Sequence, residues 1–203
     1  MTPVLHVSPN SIGLAVHAAL EEAGATYEVV WLDLSKGQQT SADYLVLNPK
    51  GRVPALVTKD GILTEALALL DWVAQTHPEA GLMPTDPWQA AKVREMMAYL
   101  ASTVHIAHAH KLRGHRWADD PATHDAMRAK VAENMAASAA YMQDRLHGDW
   151  VGPTFSVADV YLWTMMRWME GDGVPLANYP ALDAHSARVA ARPAVARIAA
   201  LHG

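Results

Sequence analysis

"NPKGRVPALVTKDGILTEALALLDWVAQ", residues 48 to 75, is the stretch on which the reading of the whole chain turns. Asn48-Pro49 ends whatever precedes it, because the residue before a proline is pushed out of the helical region. Pro54 stands directly ahead of the apolar "ALVT". Lacking a ladder donor, it belongs at a strand's first position or at its edge. A cis Val53–Pro54 bond there would turn the chain sharply. The Val53 amide and carbonyl would then face outward, free to pair with a peptide-like ligand. Lys59-Asp60-Gly61 reads as a tight turn and "ILT" as the returning strand of an antiparallel hairpin. Glu65 opens a periodic helix that Pro78 stops. The free amides of a helix N-terminus bind a carboxylate, and an acidic side chain beside them takes an ammonium, so this entry suits an α-amino acid end group. The alternative is that Glu65 only complements the helix dipole.

Working outward, "VLHV" (4 to 7) is a short buried strand leading into "SPNSIGLAVHAALEEAG" (8 to 24), an amphipathic helix closed by Gly24. "YEVVWLDL" (27 to 34) is a second strand, and "SADYLVLNP" (41 to 49) a short helical turn. Strand–helix–strand implies a parallel pair with a crossover, and the later hairpin an antiparallel one, so a mixed four-stranded sheet is expected. Composition changes at "GLMPTDPW" (81 to 88), after which strand signals disappear. Long helices are expected over Gln89–Arg113 and Pro121–Leu146. A shorter one starts at Ser156, where "SVAD" is a variant capping box, and a last one is broken at Pro193. The expected organisation is an α/β domain over 1–79, a linker over 80–86 and an all-helical domain over 87–203.

The 203 residues are 51% hydrophobic and 18% charged, which suits a sizeable core. A formal net charge of −5 argues against binding duplex DNA, and no nucleic-acid partner is expected. No stretch approaches the ~20 apolar residues of a membrane span, and the N-terminus carries no signal-peptide pattern. A cytoplasmic location away from the membrane is expected. Without cysteine the chain has no thiol nucleophile, so any thiol chemistry must use a thiol supplied by a ligand.

Residues 48 to 75, together with "VLHVSPNSIGLAVHAALEEAGATYEVVWLDL" upstream and "FSVADVYLWTMMRW" (155 to 168) downstream, resemble the glutathione S-transferase superfamily, most closely its bacterial beta class. The resemblance implies a thioredoxin-like N-terminal domain followed by an all-α C-terminal domain, usually as a homodimer, with glutathione as co-substrate at the domain cleft. By that resemblance Val53, ahead of cis Pro54, pairs its backbone with the cysteinyl part of glutathione. Glu65 and Ala66 hold the γ-glutamyl end, Ala66 through its amide where relatives often have serine. Arg52 and Lys36 face either the glycyl carboxylate or the surface.

The chain departs from the beta class at Ser8-Pro9-Asn10-Ser11. Beta-class sequences resemble "YYSPGACSLA" here, whereas this chain has His6 and Val7 at the tyrosine positions and Ile12 at the cysteine position. Ser11 is the first candidate to donate a hydrogen bond to the glutathione sulfur, Asn10 the second and Ser8 the third. A donor or a helix N-terminus stabilises the thiolate and lowers a thiol pKa from about 8.5. The alternative is that Ser11 simply caps the helix.

Further along, "VHIAHAHKLRGHR" (104 to 116) places His105 and His108 on one helix face. No third ligand accompanies them and no metal is expected. Similarity to the beta class puts His105, with His108, in the pocket for the second substrate. The Met and Trp residues of "YLWTMMRWME" fit a helix core by their spacing.

The function expected from these residues is transfer of the glutathione thiolate to a small electrophilic, mostly apolar molecule. The alternatives are a glutathione-dependent disulfide or peroxide reductase and a non-catalytic glutathione-fold binding protein.

Overall fold

The computed structural model describes residues 1–203. Strand β1 (Val4–Val7) runs parallel to β2 (Glu28–Trp31) across helix α1 (Gly13–Glu22). After the short helix α2 (Ala42–Leu47), β3 (Ala55–Thr58) and β4 (Gly61–Thr64) add antiparallel strands, giving the order β2-β1-β3-β4. Thr58 Oγ1 closes the hairpin by accepting from the Asp60 amide and donating to the Gly61 carbonyl. Helix α3 (Ala66–Thr76) then packs on α1.

The remainder is helical: α4 (Pro87–Tyr99), α5 (His105–Ala109), α6 (Pro121–Ala129), α7 (Val131–Gln143), α8 (Val157–Met169), α9 (Pro180–Ala190) and α10 (Pro193–His202). No helix is long and apolar enough to cross a membrane. One apolar core runs through both parts, from Leu5, Leu14 and Leu69 to Met97, Met142 and Trp163. Of the Met and Trp residues on α8, Trp163, Met165, Met166 and Met169 are buried in that core, as their spacing predicts.

Several boundaries differ from the sequence reading, each for a local reason. The strand expected over 27–34 ends at Trp31, because the Asp33 carboxylate accepts from both the amide and the hydroxyl of Ser35 and starts a 3-10 turn. The helix expected to Arg113 regularises only to Ala109, and Leu100–Val104 within it is a widened π-helical turn. The helix expected over Pro121–Leu146 breaks at Lys130. Past the break, α7 buries Val131, Met135 and Met142, while α6 buries no residue and props the loop before it, with His124 against Gly114.

Helix α10 is fastened to α1 by the Arg192–Glu22 fork, two bonds of 2.8 Å, and by Arg197 on Glu21. Beneath these bridges His17 Nδ1 and His202 Nε2 lie 3.0 Å apart, both side chains buried and both against Trp31. Burial pushes each imidazole down from 6.5 to about 4, partly opposed at His17 by Glu21 and reinforced at His202 by His17 and Arg167. Unfolded chains take up these protons at higher pH than the folded protein does. Stability is therefore complete above pH 6.5 and is lost as pH falls from about 6.5 towards 4. Discounted for partial solvation, the loss is roughly 3 kcal/mol, or a melting temperature about 6–12 °C lower at the acid end of that window. Melts at a series of pH values check this, and His202→Gln is expected to flatten about half of the dependence.

Candidate active site

Three chain segments converge on a cleft of about 660 Å³ between the sheet domain and the helices. The first is the loop ahead of β3. Tyr44 Oη (2.7 Å) and Asn48 Nδ2 (2.6 Å) both donate to the Arg52 carbonyl, pinning the loop, and the Val53–Pro54 bond is cis. Beyond that pin the Val53 amide and carbonyl make no hydrogen bond within the protein. They are a free peptide edge at the cleft.

The second segment is the start of α3. Glu65 sits at φ 71°, in the left-handed region, and no side chain caps the helix. The amides of Ala66 and Leu67, at an uncapped helix end, line the cleft and form a site for an anion. The Glu65 carboxylate stands beside them, with one oxygen on Lys50 Nζ at 2.5 Å. Thus a carboxylate site and an ammonium site are adjacent.

The third segment is Asn10-Ser11-Ile12 at the start of α1. Asn10 has φ 52° and is held from α8, its carbonyl accepting from Trp168 Nε1 (3.2 Å) and its Oδ1 from Arg167 (3.1 Å). Although Ile12 at the N-cap of α1 leaves the helix without a side-chain cap, Ser11 Oγ donates to the Ser8 carbonyl at 2.7 Å and accepts from the Gly13 amide at 3.2 Å, closing the turn ahead of α1. It also lines the cleft, and a rotation about χ1 or of the hydroxyl itself would redirect its proton. Gly13 is required here, since a Cβ would stand 2.4 Å from Val7 Cγ2 where α1 meets β1.

Opposite, α5 contributes His105 and His108. Burial lowers His105 to about 4, with His108, Arg113, Arg116 and Arg52 adding to the effect, so the ring is neutral near pH 7. His108 stacks on Trp168 with ring centres 4.3 Å apart, and its Nδ1 donates to buried Asp172 at 2.6 Å. That bond orients the ring against Trp168.

Nine of the eleven residues singled out from the sequence therefore surround one cleft. Two do not, Lys36 and Ser8: Lys36 is an exposed residue of the 3-10 turn after β2, paired with Asp33 at 3.3 Å, and does not line the cleft. Ser8 is buried and offers only its carbonyl to Ser11. His6 packs on Tyr44 and Val7 lies fully buried, so neither reaches the cleft.

Sequence reasoning missed Gln39, Tyr161, Trp168 and the loop arginines Arg113 and Arg116. Gln39 Oε1 is buried without a partner in the cleft wall. "HKLRGHRW" carries a sequence signal for the arginines, a cluster of cations with Arg113 and Arg116 three residues apart, although Asp119 and Asp120 directly downstream offer partners that the fold does not use.

The family profile described as "Glutathione S-transferase, N-terminal domain" matches residues 4–75. Glutathione S-transferase GstA of Escherichia coli O157:H7 is 31% identical over 196 residues, which is 94% of each chain. A glutathione transferase homolog from Sulfitobacter, solved with bound glutathione, superposes with a TM-score of 0.95 at 48% identity, covering 97% of this chain and 96% of the other. The bacterial beta class enzyme of Sphingomonas chungbukensis superposes at 0.85 with 30% identity over 98% of both.

Proposed function

The chain belongs to the glutathione S-transferase family, and from that premise we propose that its cleft binds glutathione, ionises the thiol and transfers it to a small electrophile. The observation that carries this reading is the meeting in one cleft of the unpaired Val53 peptide edge, the uncapped α3 terminus beside Glu65, and the Ser11 hydroxyl at α1. The γ-glutamyl carboxylate goes to the α3 amides and its ammonium to Glu65. The cysteinyl amide and carbonyl pair with Val53, and the glycyl carboxylate faces Arg52. This places the sulfur towards the start of α1, where the helix dipole and a donated hydrogen bond favour the thiolate.

The thiol proton leaves to solvent. The sulfur then forms a bond to carbon while the leaving group departs with the electron pair of the bond that breaks. Ile12, Ile106 and Trp117 supply apolar surface for the electrophile's body. The same reading includes a homodimer, for which exposed Trp88 and edge-strand Ile62 offer apolar surface.

Ser11→Ala tests the sulfur contact. The thiolate absorbance of bound glutathione is expected to titrate with a pKa about one higher than in the parent. Turnover of an aryl halide near pH 6.5 is expected to fall about tenfold, with glutathione affinity kept. An unchanged pKa limits Ser11 to closing the turn ahead of α1. Turnover of a mixed disulfide but not of an aryl halide would move the reading to a reductase.

A further inference from the structure

The chain has ten arginines, and seven of them have their guanidinium engaged. Arg94, Arg128, Arg188, Arg192 and Arg197 are ion-paired, while Arg145 and Arg167 lie over the rings of Tyr141 and Trp163. The guanidinium groups of the remaining three, Arg52, Arg113 and Arg116, have no carboxylate, ring or hydrogen-bond partner, and all three residues line the active-site cleft. Arg113 and Arg116 come from a built loop. Its 3-10 turn (Gly114–Arg116) is seated by Gly114 against His124, whose Nε2 binds the Ala118 carbonyl at 2.6 Å, and His110 packs edge-on against Trp117. Burial lowers both guanidinium pKa values, and facing Arg52 lowers them further. Three cations held together in a partly desolvated cleft repel one another unless an anion joins them.

Bound glutathione leaves part of that charge unmatched. In the arrangement proposed above its α-carboxylate goes to the α3 amides, its ammonium to Glu65 and its glycyl carboxylate to Arg52. Only the thiolate then remains to face Arg113 and Arg116, and its charge disappears when sulfur bonds to carbon. We infer that the electrophile taken by this cleft carries an anionic group, a carboxylate or sulfonate, held by the unpaired Arg113 and Arg116 opposite the sulfur. This inference rests on the transferase reading and deepens it: the substrate has an apolar body with a charged tail. An anionic molecule is also drawn into such a cleft faster than a neutral one at low ionic strength.

Two S-substituted glutathiones that differ in one group test it without requiring turnover: S-benzylglutathione and S-(4-carboxybenzyl)glutathione. Calorimetric titration of the parent protein is expected to find the carboxylated conjugate bound about tenfold more tightly or better, the advantage shrinking with added salt. In the Arg113→Gln/Arg116→Gln double variant the two affinities are expected to become equal, and in Arg113→Lys/Arg116→Lys part of the advantage returns. Equal affinities in the parent overturn the inference, as does an advantage that survives in the glutamine variant. A glutamine variant that loses affinity for both conjugates alike, with their ratio unchanged, puts the arginines on glutathione itself and also overturns it. Failure of glutathione to bind the parent protein at all removes the transferase reading, and this inference with it; glutathione binding with a ratio near one removes this inference alone.

Discussion

Asp159→Ala is expected to cost about 4–5 kcal/mol of stability, enough to leave little folded protein at physiological temperature. The Asp159 carboxylate is fully buried and accepts four hydrogen bonds. They come from the Val151 amide at 2.8 Å, the Ser156 amide at 2.8 Å, the Ser156 hydroxyl at 2.9 Å and His185 Nε2 at 2.8 Å. It ties the start of α8 to the preceding loop and to α9, and α8 is the helix that packs on α1, α3 and α4. Alanine would strand three of those donors in the core, where each unsatisfied group costs about 1–3 kcal/mol. Asparagine keeps the shape and one acceptor oxygen and is expected to lose about half as much. Urea melts of the three proteins check this. A midpoint for Asp159→Ala within the error of the parent would show that the loop and helix hold without the carboxylate.

Glu65→Gln is expected to raise the glutathione KM by about 30–100-fold while kcat stays within a few-fold, because one charge-assisted bond of about 2–3 kcal/mol to the γ-glutamyl ammonium is lost. Glutamine fills the same space and keeps the backbone at φ 71° as glutamate does, so the start of α3 is not otherwise altered. The substitution also removes the Lys50 pair. Both side chains are largely exposed there, so the melting temperature is expected to move by no more than about 2 °C. Steady-state kinetics with varied glutathione decide the matter: a KM within about threefold of the parent would assign Glu65 to the helix dipole and Lys50 alone.

The stretch that names the fold was legible because its chemistry is local. A proline at a strand start, a Lys-Asp-Gly turn, and "SVAD" at a helix entry state their backbone roles within a few residues of themselves. The mixed sheet, the hairpin and the capping box are therefore all present in the sequence. The ends of β2 and of the helix before Lys130 were less legible. They depend on which neighbours happen to offer a competing hydrogen bond or a core to face, as Asp33 and Val131 do.

By itself the amino-acid sequence determined that a cysteine-free chain must take its thiol from a ligand, and that Val53, Glu65 and Ser11 stand at strand and helix ends where backbone groups are unspent. Only the tertiary structure decided what those groups share a cleft with. Lys36 was as plausible as Arg52 from sequence, yet it turns outward onto Asp33. Arg113 and Arg116 lie some sixty residues from Arg52 and meet it only because the helical domain folds back over the sheet. Local propensity is set by groups in covalent reach, whereas electrostatic character is set by whichever charges the fold brings together and leaves unpaired.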